Sequence, residues 1–322
     1  MVKKTDDDFF NEVLSNNLAL ALELREIDPE CTDNYNDRSI LKLICIEYWV
    51  RMFARICDKQ LRKRYGYDMV YVDTMAGSGL TSTKRAGDYF AGSCPSAIKS
   101  AKDIGCPFDT VIAVEIDKNK AATLGRRLNN ANLAGNTMIV DYDISDVANG
   151  ISNHLQKNNT VSFIVIDPQA LQGMTWATLK PLLSCKGDAM VTWFENEAWR
   201  LRTATVTKNH HKAMNSNIER LDELFGESWR DAESASELTD IFISRVLTEC
   251  VNKTAYSKVK ISHTNGYHWM ILFAGNFQNA HKLVEEWRSN VSKRFESAHG
   301  KDISSLLDVK SGRQRSLYGD FS

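Results

Sequence analysis

The sequence contains no long apolar run, and this absence bears on the predicted cellular location of the protein. No stretch approaches the roughly 18 consecutive apolar residues that a membrane-spanning helix needs. The first four residues, Met1-Val2-Lys3-Lys4, and the aspartates soon after them also lack the apolar core of a secretory signal. We therefore expect a cytoplasmic protein with no membrane partner.

Metal-binding and disulfide patterns are equally scarce. The seven cysteines are odd in number and scattered, and no two form a Cys-x-x-Cys pair. This spacing argues against a disulfide framework and a structural zinc site, and it favours reduced thiols. The adjacent His210 and His211 have no partner acid or cysteine at a helical spacing, so we expect no metal.

An excess of charge of one sign is missing too. The 40 basic and 41 acidic residues give a net charge of −1. Proteins that coat nucleic acid through many phosphate contacts usually carry a basic excess. Any nucleic-acid contact must therefore come from a local patch. The 322 residues suffice for one large domain, or for one domain with a sizeable insertion.

Hydrophobic periodicity predicts the elements. Residues 1–37 are polar and weakly periodic, with one short helix at 9–24. From Arg38, apolar residues recur at spacings of three and four, which predicts an amphipathic helix ending near Gly66. Apolar runs at 69–72, 110–114, 137–140, 162–166 and 189–193 then alternate with helical patterns at 95–102, 118–130, 146–157 and 176–183. Near-continuous apolar strands that alternate with helices indicate a parallel sheet covered on both faces.

The alternation pauses at 195–233 and then resumes. A helix at 237–251 precedes strand patterns at 258–263 and 267–273, joined by Asn265-Gly266, and a helix at 277–291 follows. We therefore predict an α/β fold: a Rossmann-like, doubly wound, mostly parallel sheet with an antiparallel edge hairpin. The predicted divisions are a lead-in (1–37), the core (38–194 and 237–292), an insertion for substrate or partner (195–236) and a tail (293–322).

A glycine turn follows the first strand. Two glycines let the backbone bend sharply and approach a ligand closely. A dinucleotide site would need a third glycine three residues after Gly79, where Ser82 stands, so a nicotinamide cofactor is disfavoured. The alternative is a tight turn without a ligand. The cofactor-binding candidates in this turn are Asp73, Ala76, Gly77, Ser78 and Gly79.

Acids follow the next two strands. Glu115 ends the second strand beside the glycine turn, where it would accept hydrogen bonds from both hydroxyls of a ribose, with Ile116 next to it. The alternative is that Glu115 is a surface acid. Asp117 would start the following helix. After the third strand, Asp143 is the first choice to accept from an adenine amine. Asp141 is the runner-up, and Asp146 is interpreted as a helix cap.

The fourth strand ends in Asp167-Pro168, which we take as the catalytic candidates. A carboxylate at a buried strand end is costly unless it is paired or functional. Pro168 would fix the turn and hold the Asp167 side chain over the pocket floor, where it could orient an acceptor group. The alternative is a turn-initiating Asp-Pro without chemistry.

Two segments near the glycine turn allow more than one interpretation. The inserted stretch at 80–91, with Lys84 and Arg85, could cover a cofactor, touch an anionic substrate or be a solvated loop. Ser93 is a plausible cap for the helix that Pro95 enters.

In order, these motifs resemble the class I S-adenosylmethionine (SAM)-dependent methyltransferases and, more narrowly, the three-Cys-motif partner protein family (TcmP). The resemblance covers roughly residues 38–290. It rests on the lead-in helix and on Val72-Asp73-Thr74-Met75-Ala76-Gly77-Ser78-Gly79, Gly92-Ser93-Cys94-Pro95, Val114-Glu115-Ile116-Asp117 and Ile166-Asp167-Pro168. It implies a methyltransferase core, SAM as cofactor and action with a partner protein.

Two departures from the pattern bear on the substrate. Amino-group methyltransferases of nucleic acid carry an aromatic residue or a second proline after Asp-Pro, whereas Gln169 and Ala170 stand there in this chain. Base methylation is therefore not carried over from the resemblance. Met75 replaces the phenylalanine that commonly precedes Ala-Gly, a change we regard as tolerable.

Basic residues and aromatics after the fifth strand suit a nucleic-acid contact as well as a solvated insertion. The stretch holds Trp193, Trp199, Arg200, Arg202, Lys208, His210, His211 and Lys212, together with the acidic Glu195. The leading hypothesis is methyl transfer from SAM to RNA, DNA or another large substrate. The rivals are a non-catalytic partner that binds another protein and a different Rossmann-like enzyme.

Overall fold

The computed structural model describes residues 6–35, 39–83, 89–157, 159–207, 211–263, 266–275 and 279–299. The helices are α1 (Asp6–Ile27), α2 (Ser39–Cys57), α3 (Lys63–Tyr65), α4 (Ser93–Asp103), α5 (Lys118–Asn130), α6 (Ile144–Lys157), α7 (Trp176–Leu183), α8 (Glu195–Thr207), α9 (His211–Phe225), α10 (Ala235–Glu249) and α11 (Ala280–His299). The strands are β1 (Asp33–Tyr35), β2 (Asp68–Asp73), β3 (Leu80–Thr83), β4 (Tyr89–Ala91), β5 (Thr110–Val114), β6 (Thr137–Val140), β7 (Thr160–Ile166), β8 (Gly187–Trp193), β9 (Lys253–His263) and β10 (Gly266–Gly275).

Seven of the described strands form one sheet in the order β6-β5-β2-β7-β8-β10-β9. The first five run parallel to one another, and β10 runs antiparallel to both of its neighbours. The predicted fold class, a doubly wound sheet with an antiparallel hairpin at one edge, is confirmed. The two residues between β9 and β10, Thr264 and Asn265, lie outside the described residues.

The sheet separates two hydrophobic cores. Side chains of α1, α2, α4, α5 and α11 pack on one face, and those of α6 to α10 pack on the other. Each of β7 and β8 is buried along its full length. This burial explains the unbroken apolar runs in the sequence, because a strand covered on both faces has no polar side to alternate with.

The N-terminal residues are integrated more closely than the polar sequence suggested. Helix α1 is longer than the short helix predicted at 9–24, and it buries Leu14, Leu20 and Leu24 in the core. After it, β1 pairs with β3, which pairs with β4. The inserted stretch therefore forms strands on both sides of residues 84–88. These five residues, which include Lys84 and Arg85, lie outside the described residues.

The long helix and the region after β8 also depart from the predictions. The predicted helix from Arg38 passes through a π-helical turn at Asp58–Arg62 before it ends at Gly66, which is left-handed (φ 68°) as expected of a helix stop. The polar stretch from 195 forms α8 and α9. None of the described helices is long and apolar enough to cross a membrane.

Candidate functional site

The glycine turn lies against the end of the neighbouring strand. Gly77 and Gly79 have φ angles of +62° and +78°, which side-chain-bearing residues rarely adopt. The Gly77 N–H donates to Glu115 Oε2 at 2.9 Å. Since β2 lies between β5 and β7 in the sheet, the glycine turn, Glu115 and Asp167 meet at the carboxyl ends of three adjacent parallel strands. The sequence predicted this convergence.

Glu115 is fixed by backbone donors on both oxygens. Besides the Gly77 bond, Oε1 accepts the Asp117 N–H at 2.9 Å. Asp117 in turn caps α5, as predicted, by accepting from the N–H groups of Asn119 and Lys120. A carboxylate has about four lone-pair sites, so Glu115 keeps acceptor capacity for the two hydroxyls of a ribose.

Two exposed side chains follow the ends of the neighbouring strands β5 and β6. Val114 pairs with Val140 at these ends, and Ile116 and Tyr142 each lie two residues beyond that pair. Ile116 is 63% exposed and Tyr142 is 59% exposed. An aliphatic and an aromatic surface next to a fixed carboxylate fit the base and the sugar of an adenosine. The residues present therefore fit the nucleoside part of SAM.

Of the three acids after β6, Asp143 holds the start of α6. Its Oδ1 accepts from the Ser145 N–H at 2.8 Å and from the Ser145 hydroxyl at 2.7 Å. The helix begins at Ile144, so Asp146 lies inside its first turn and the interpretation of Asp146 as the cap was wrong. Asp141 is exposed. The choice of Asp143 as acceptor for the adenine amine stays a prediction.

Asp73 supports the glycine turn through hydrogen bonds from inside the core. It is completely buried and accepts from the Ser93 hydroxyl at 2.6 Å, the Tyr71 hydroxyl at 3.2 Å and the Met75 N–H at 3.3 Å. Burial raises the pKa of Asp73 to about 6. Ser93 was predicted to cap α4, but Gly92 is the cap residue, and the Ser93 hydroxyl serves Asp73 instead. These contacts support an indirect role for Asp73, in which it shapes the loop around Ala76.

A residue that the sequence reasoning missed holds the other side of the loop. Asp33, at the start of β1, accepts from the Ser78 N–H at 2.7 Å and the Ser78 hydroxyl at 3.1 Å. Its second oxygen forms an ion pair with Lys120 at 2.7 Å. A Cβ on Gly77 would lie 2.4 Å from Asp33 Oδ2, so glycine is required there.

Asp167 is paired rather than isolated. The Lys42 ammonium, from α2, donates to both carboxylate oxygens at 2.8 and 2.7 Å, and the Thr192 hydroxyl donates to Oδ1 at 2.6 Å. The Lys42 and Asp167 side chains are only 12% and 17% exposed. Neither partner was predicted. A lysine on an amphipathic helix has the sequence pattern of a solvated residue, and only its place in the fold shows the pairing.

Pro168 is buried directly after Asp167, and Gln169 next to it is exposed. The Cβ of Pro168 lies close to Gly173, where an added Cβ would be only 3.4 Å away. The segment continues into a 3-10 turn at Leu171–Gly173, and the Leu171 N–H donates to Glu197 at 3.0 Å. The turn is therefore tied to α8, which fits the predicted positioning role of Pro168.

The predicted basic and aromatic patch after β8 is only partly on the surface. Trp193 is fully buried and stacks on Phe242 at 4.2 Å between ring centroids, so its predicted contact with nucleic acid was wrong. Glu195 is buried as well. Arg202 lies over the ring of Trp199, and Arg200 is exposed. Lys208, His210 and the side chains of His211 and Lys212 lie outside the described residues.

Comparisons with known proteins find similarity in solved structures alone. No family model matches the chain, and no curated protein sequence matches it. A Legionella pneumophila protein described by the family model DUF519 is 11% identical, covering 80% of this chain and 92% of that one, with a TM-score of 0.48. An O-methyltransferase from Bacillus cereus in complex with SAH is 12% identical, covering 70% and 80%, with a TM-score of 0.37. The METTL16 methyltransferase domain is 10% identical, covering 71% and 65%, with a TM-score of 0.36. The strand order itself shows the Rossmann-like fold, a mostly parallel seven-stranded sheet with an antiparallel edge.

Proposed function

We propose that this chain is a SAM-dependent methyltransferase that acts on a nucleic acid or another large substrate. The observation that supports this most is the direct contact between the glycine turn and Glu115, next to the exposed Ile116 and Tyr142. Glu115 would accept from the ribose hydroxyls, the two apolar side chains would enclose the adenine, and Asp143 would accept from its amine. When bound, SAM supplies the methyl group.

Asp167 is suited to orient the group that accepts the methyl. Lys42 and Thr192 fix the carboxylate and compensate the cost of placing it at a partly buried strand end. The remaining acceptor capacity can receive an N–H or O–H of the substrate, which aims a lone pair of the acceptor atom toward the cofactor. In this role Asp167 is a catalytic residue, and Lys42 is a positioning residue.

The TcmP resemblance supports a second proposal, in which the chain retains the fold but acts by binding a partner protein. One observation favours it: the Lys42 ammonium contacts both Asp167 oxygens, as in a structural ion pair. The two proposals differ in whether Asp167 is needed for turnover, and this can be measured.

Calorimetry with SAM tests the pocket. Glu115→Ala should weaken SAM binding at least about tenfold, since two charge-assisted hydrogen bonds are removed. Glu286→Ala, which removes an exposed acid on α11, is the matched control and should bind as the wild type does. Absence of heat from the wild-type protein even at a SAM excess would contradict both the pocket and the proposed function.

Transfer is then measured with tritiated SAM against total RNA, DNA and protein. Asp167→Asn should abolish incorporation while leaving SAM affinity unchanged. If Asp167→Asn still incorporated the tritiated methyl group, the proposed catalytic role of Asp167 would be contradicted. A wild-type protein that binds SAM, labels none of the three fractions and retains a partner protein would favour the binding proposal.

A further inference from the structure

The hairpin of β9 and β10 carries two lysines and two aromatic residues on one face. The register places Lys260 opposite Trp269, with Lys258 and Tyr267 two residues away on the same two strands. Since side chains alternate along a strand, all four point to the same side of the sheet. Lys260 is exposed, and the other three are half-buried.

The ammonium groups lie over the rings. Lys260 Nζ is 3.7 Å from the centroid of the Tyr267 ring and 5.9 Å from that of Trp269, and Lys258 Nζ is 4.9 Å from the Trp269 centroid. The two rings meet edge to face, with centroids 5.9 Å apart and planes at 83°. These are cation–π distances on a partly exposed surface.

A buried carboxylate holds the tyrosine in place. Glu195 is buried, and it accepts from the Tyr267 hydroxyl and from the Thr239 hydroxyl at 2.8 Å. Thr239 in turn accepts from Trp193 Nε1 at 3.0 Å. Burial, together with the bond to Glu195, raises the pKa of Tyr267 to about 12, so the hydroxyl remains a donor. The ring is therefore fixed before any ligand arrives.

This surface lies beside the candidate catalytic edge. Trp269 pairs with Trp193 at the carboxyl end of β8, and the preceding residue, Thr192, donates to Asp167. Neighbouring strands are about 4.8 Å apart, so β10 lies roughly 10 Å from β7. The Thr192 and Asp167 side chains lie on the other face of the sheet, toward α2 and Met270. A chain molecule bound on the hairpin face would therefore reach Asp167 by passing round the carboxyl edge of the sheet at the end of β8.

We propose that Lys258, Lys260, Tyr267 and Trp269 form a docking surface for a single-stranded nucleic acid. Fixed rings stack on bases of any sequence, and lysines neutralise phosphates. Lys260 is exposed, whereas Lys258 would have to leave its 3.5 Å ion pair with Asp240 to contact a phosphate. The lysine side chains are long enough for the ammonium group to move from the face of a ring to a phosphate, which frees the ring face for a base. A duplex keeps its bases stacked on one another and cannot offer their faces. The proposal rests on the proposed function only in that the bound strand would be the methyl acceptor.

Fluorescence anisotropy with a labelled RNA of roughly 16 nucleotides, without cofactor, tests the surface. Lys260→Glu should weaken binding about tenfold or more and lower the slope of log K against log salt by about 0.7 for each phosphate that is no longer neutralised. The matched control is Lys282→Glu, an exposed lysine on α11 that should bind as the wild type does. Unchanged binding by Lys260→Glu would overturn the proposal.

A second variant separates stacking from charge. Trp269→Leu keeps an apolar side chain, and it should weaken binding about tenfold without changing the salt slope, because only base stacking is removed. Its unfolding midpoint in urea confirms that it is folded. Equal affinity for a duplex of the same sequence would overturn the proposal. If poly-glutamate displaced the labelled RNA as well as unlabelled RNA does, the proposal would also be overturned, in favour of an acidic protein partner. Because no SAM is present, failure here is distinct from failure of the proposed methyl transfer.

Discussion

At the scale of single residues, the ion pair between Lys42 and Asp167 determines what the candidate catalytic carboxylate can do. Both side chains are largely buried, so removing one leaves a charge with reduced access to water. Thr192 compensates only in part, because it donates one hydrogen bond where Lys42 contacts two oxygens. The pair therefore couples stability to the chemistry of the site.

Lys42→Met should destabilise the protein by about 2 kcal/mol, because the Asp167 carboxylate loses its charged partner. Asp167→Asn combined with Lys42→Met should recover part of this loss, since no unpaired charge then remains. Urea unfolding of the wild type, both single variants and the double variant measures the coupling. Additive losses would show that the two residues do not interact energetically.

At the scale of elements, the glycine turn is held by segments from distant parts of the sequence. Arg127, fully buried in α5, donates to the Ser78 carbonyl at 2.7 Å and the Cys31 carbonyl at 2.8 Å. The same guanidinium contacts the carbonyls of Leu24 and Asp28. One side chain thus ties the end of α1 and the segment before β1 to the turn that would bind the cofactor.

Gly77→Ala should reduce SAM affinity strongly, because the new Cβ would lie 2.4 Å from the Asp33 carboxylate. Gly105→Ala is the matched control: its φ of +71° gives a similar backbone strain of about 1 kcal/mol, but no atom lies within 4 Å of the added Cβ. Calorimetry should therefore show weaker binding for Gly77→Ala only. Equal weakening in both variants would mean that backbone strain, and not the contact with Asp33, matters.

At the scale of the whole molecule, buried acids make the stability of the fold depend on pH. Burial raises the pKa values of Asp73 and Asp188 from the ordinary 3.8 to about 6. Between these values the native state binds protons that the unfolded chain does not, so each acid stabilises the fold below about pH 4. That contribution is lost as the pH rises through about 6.

Asp73→Asn should remove its share of this dependence, on the order of 3 kcal/mol. Urea unfolding between pH 4 and pH 7 should show the wild type losing stability relative to the variant as the pH rises. Subtracting the two curves of unfolding free energy against pH cancels the contributions of Asp188 and the other carboxylates, because these groups titrate in both proteins. A constant difference across this range would refute the assignment to Asp73.

The sequence alone determined the strands of the sheet, the glycine turn and the acids at the strand ends. The run 110–114 coincides with β5, because burial on both faces requires a local apolar run. The run 137–140 coincides with β6, although this edge strand is not fully buried. Parallel strands place their carboxyl ends at one edge, so the meeting of Gly77 with Glu115 followed from order alone.

Only the tertiary structure decided which side chains support that edge. Lys42 lies 125 residues before Asp167, and Asp33 lies 45 before Ser78, so no local pattern relates either pair. Trp193 shows the converse: its sequence neighbours suggest a surface patch, but β10 and α10 enclose it. Periodicity reports burial along one element, whereas contacts between elements depend on how the whole chain packs.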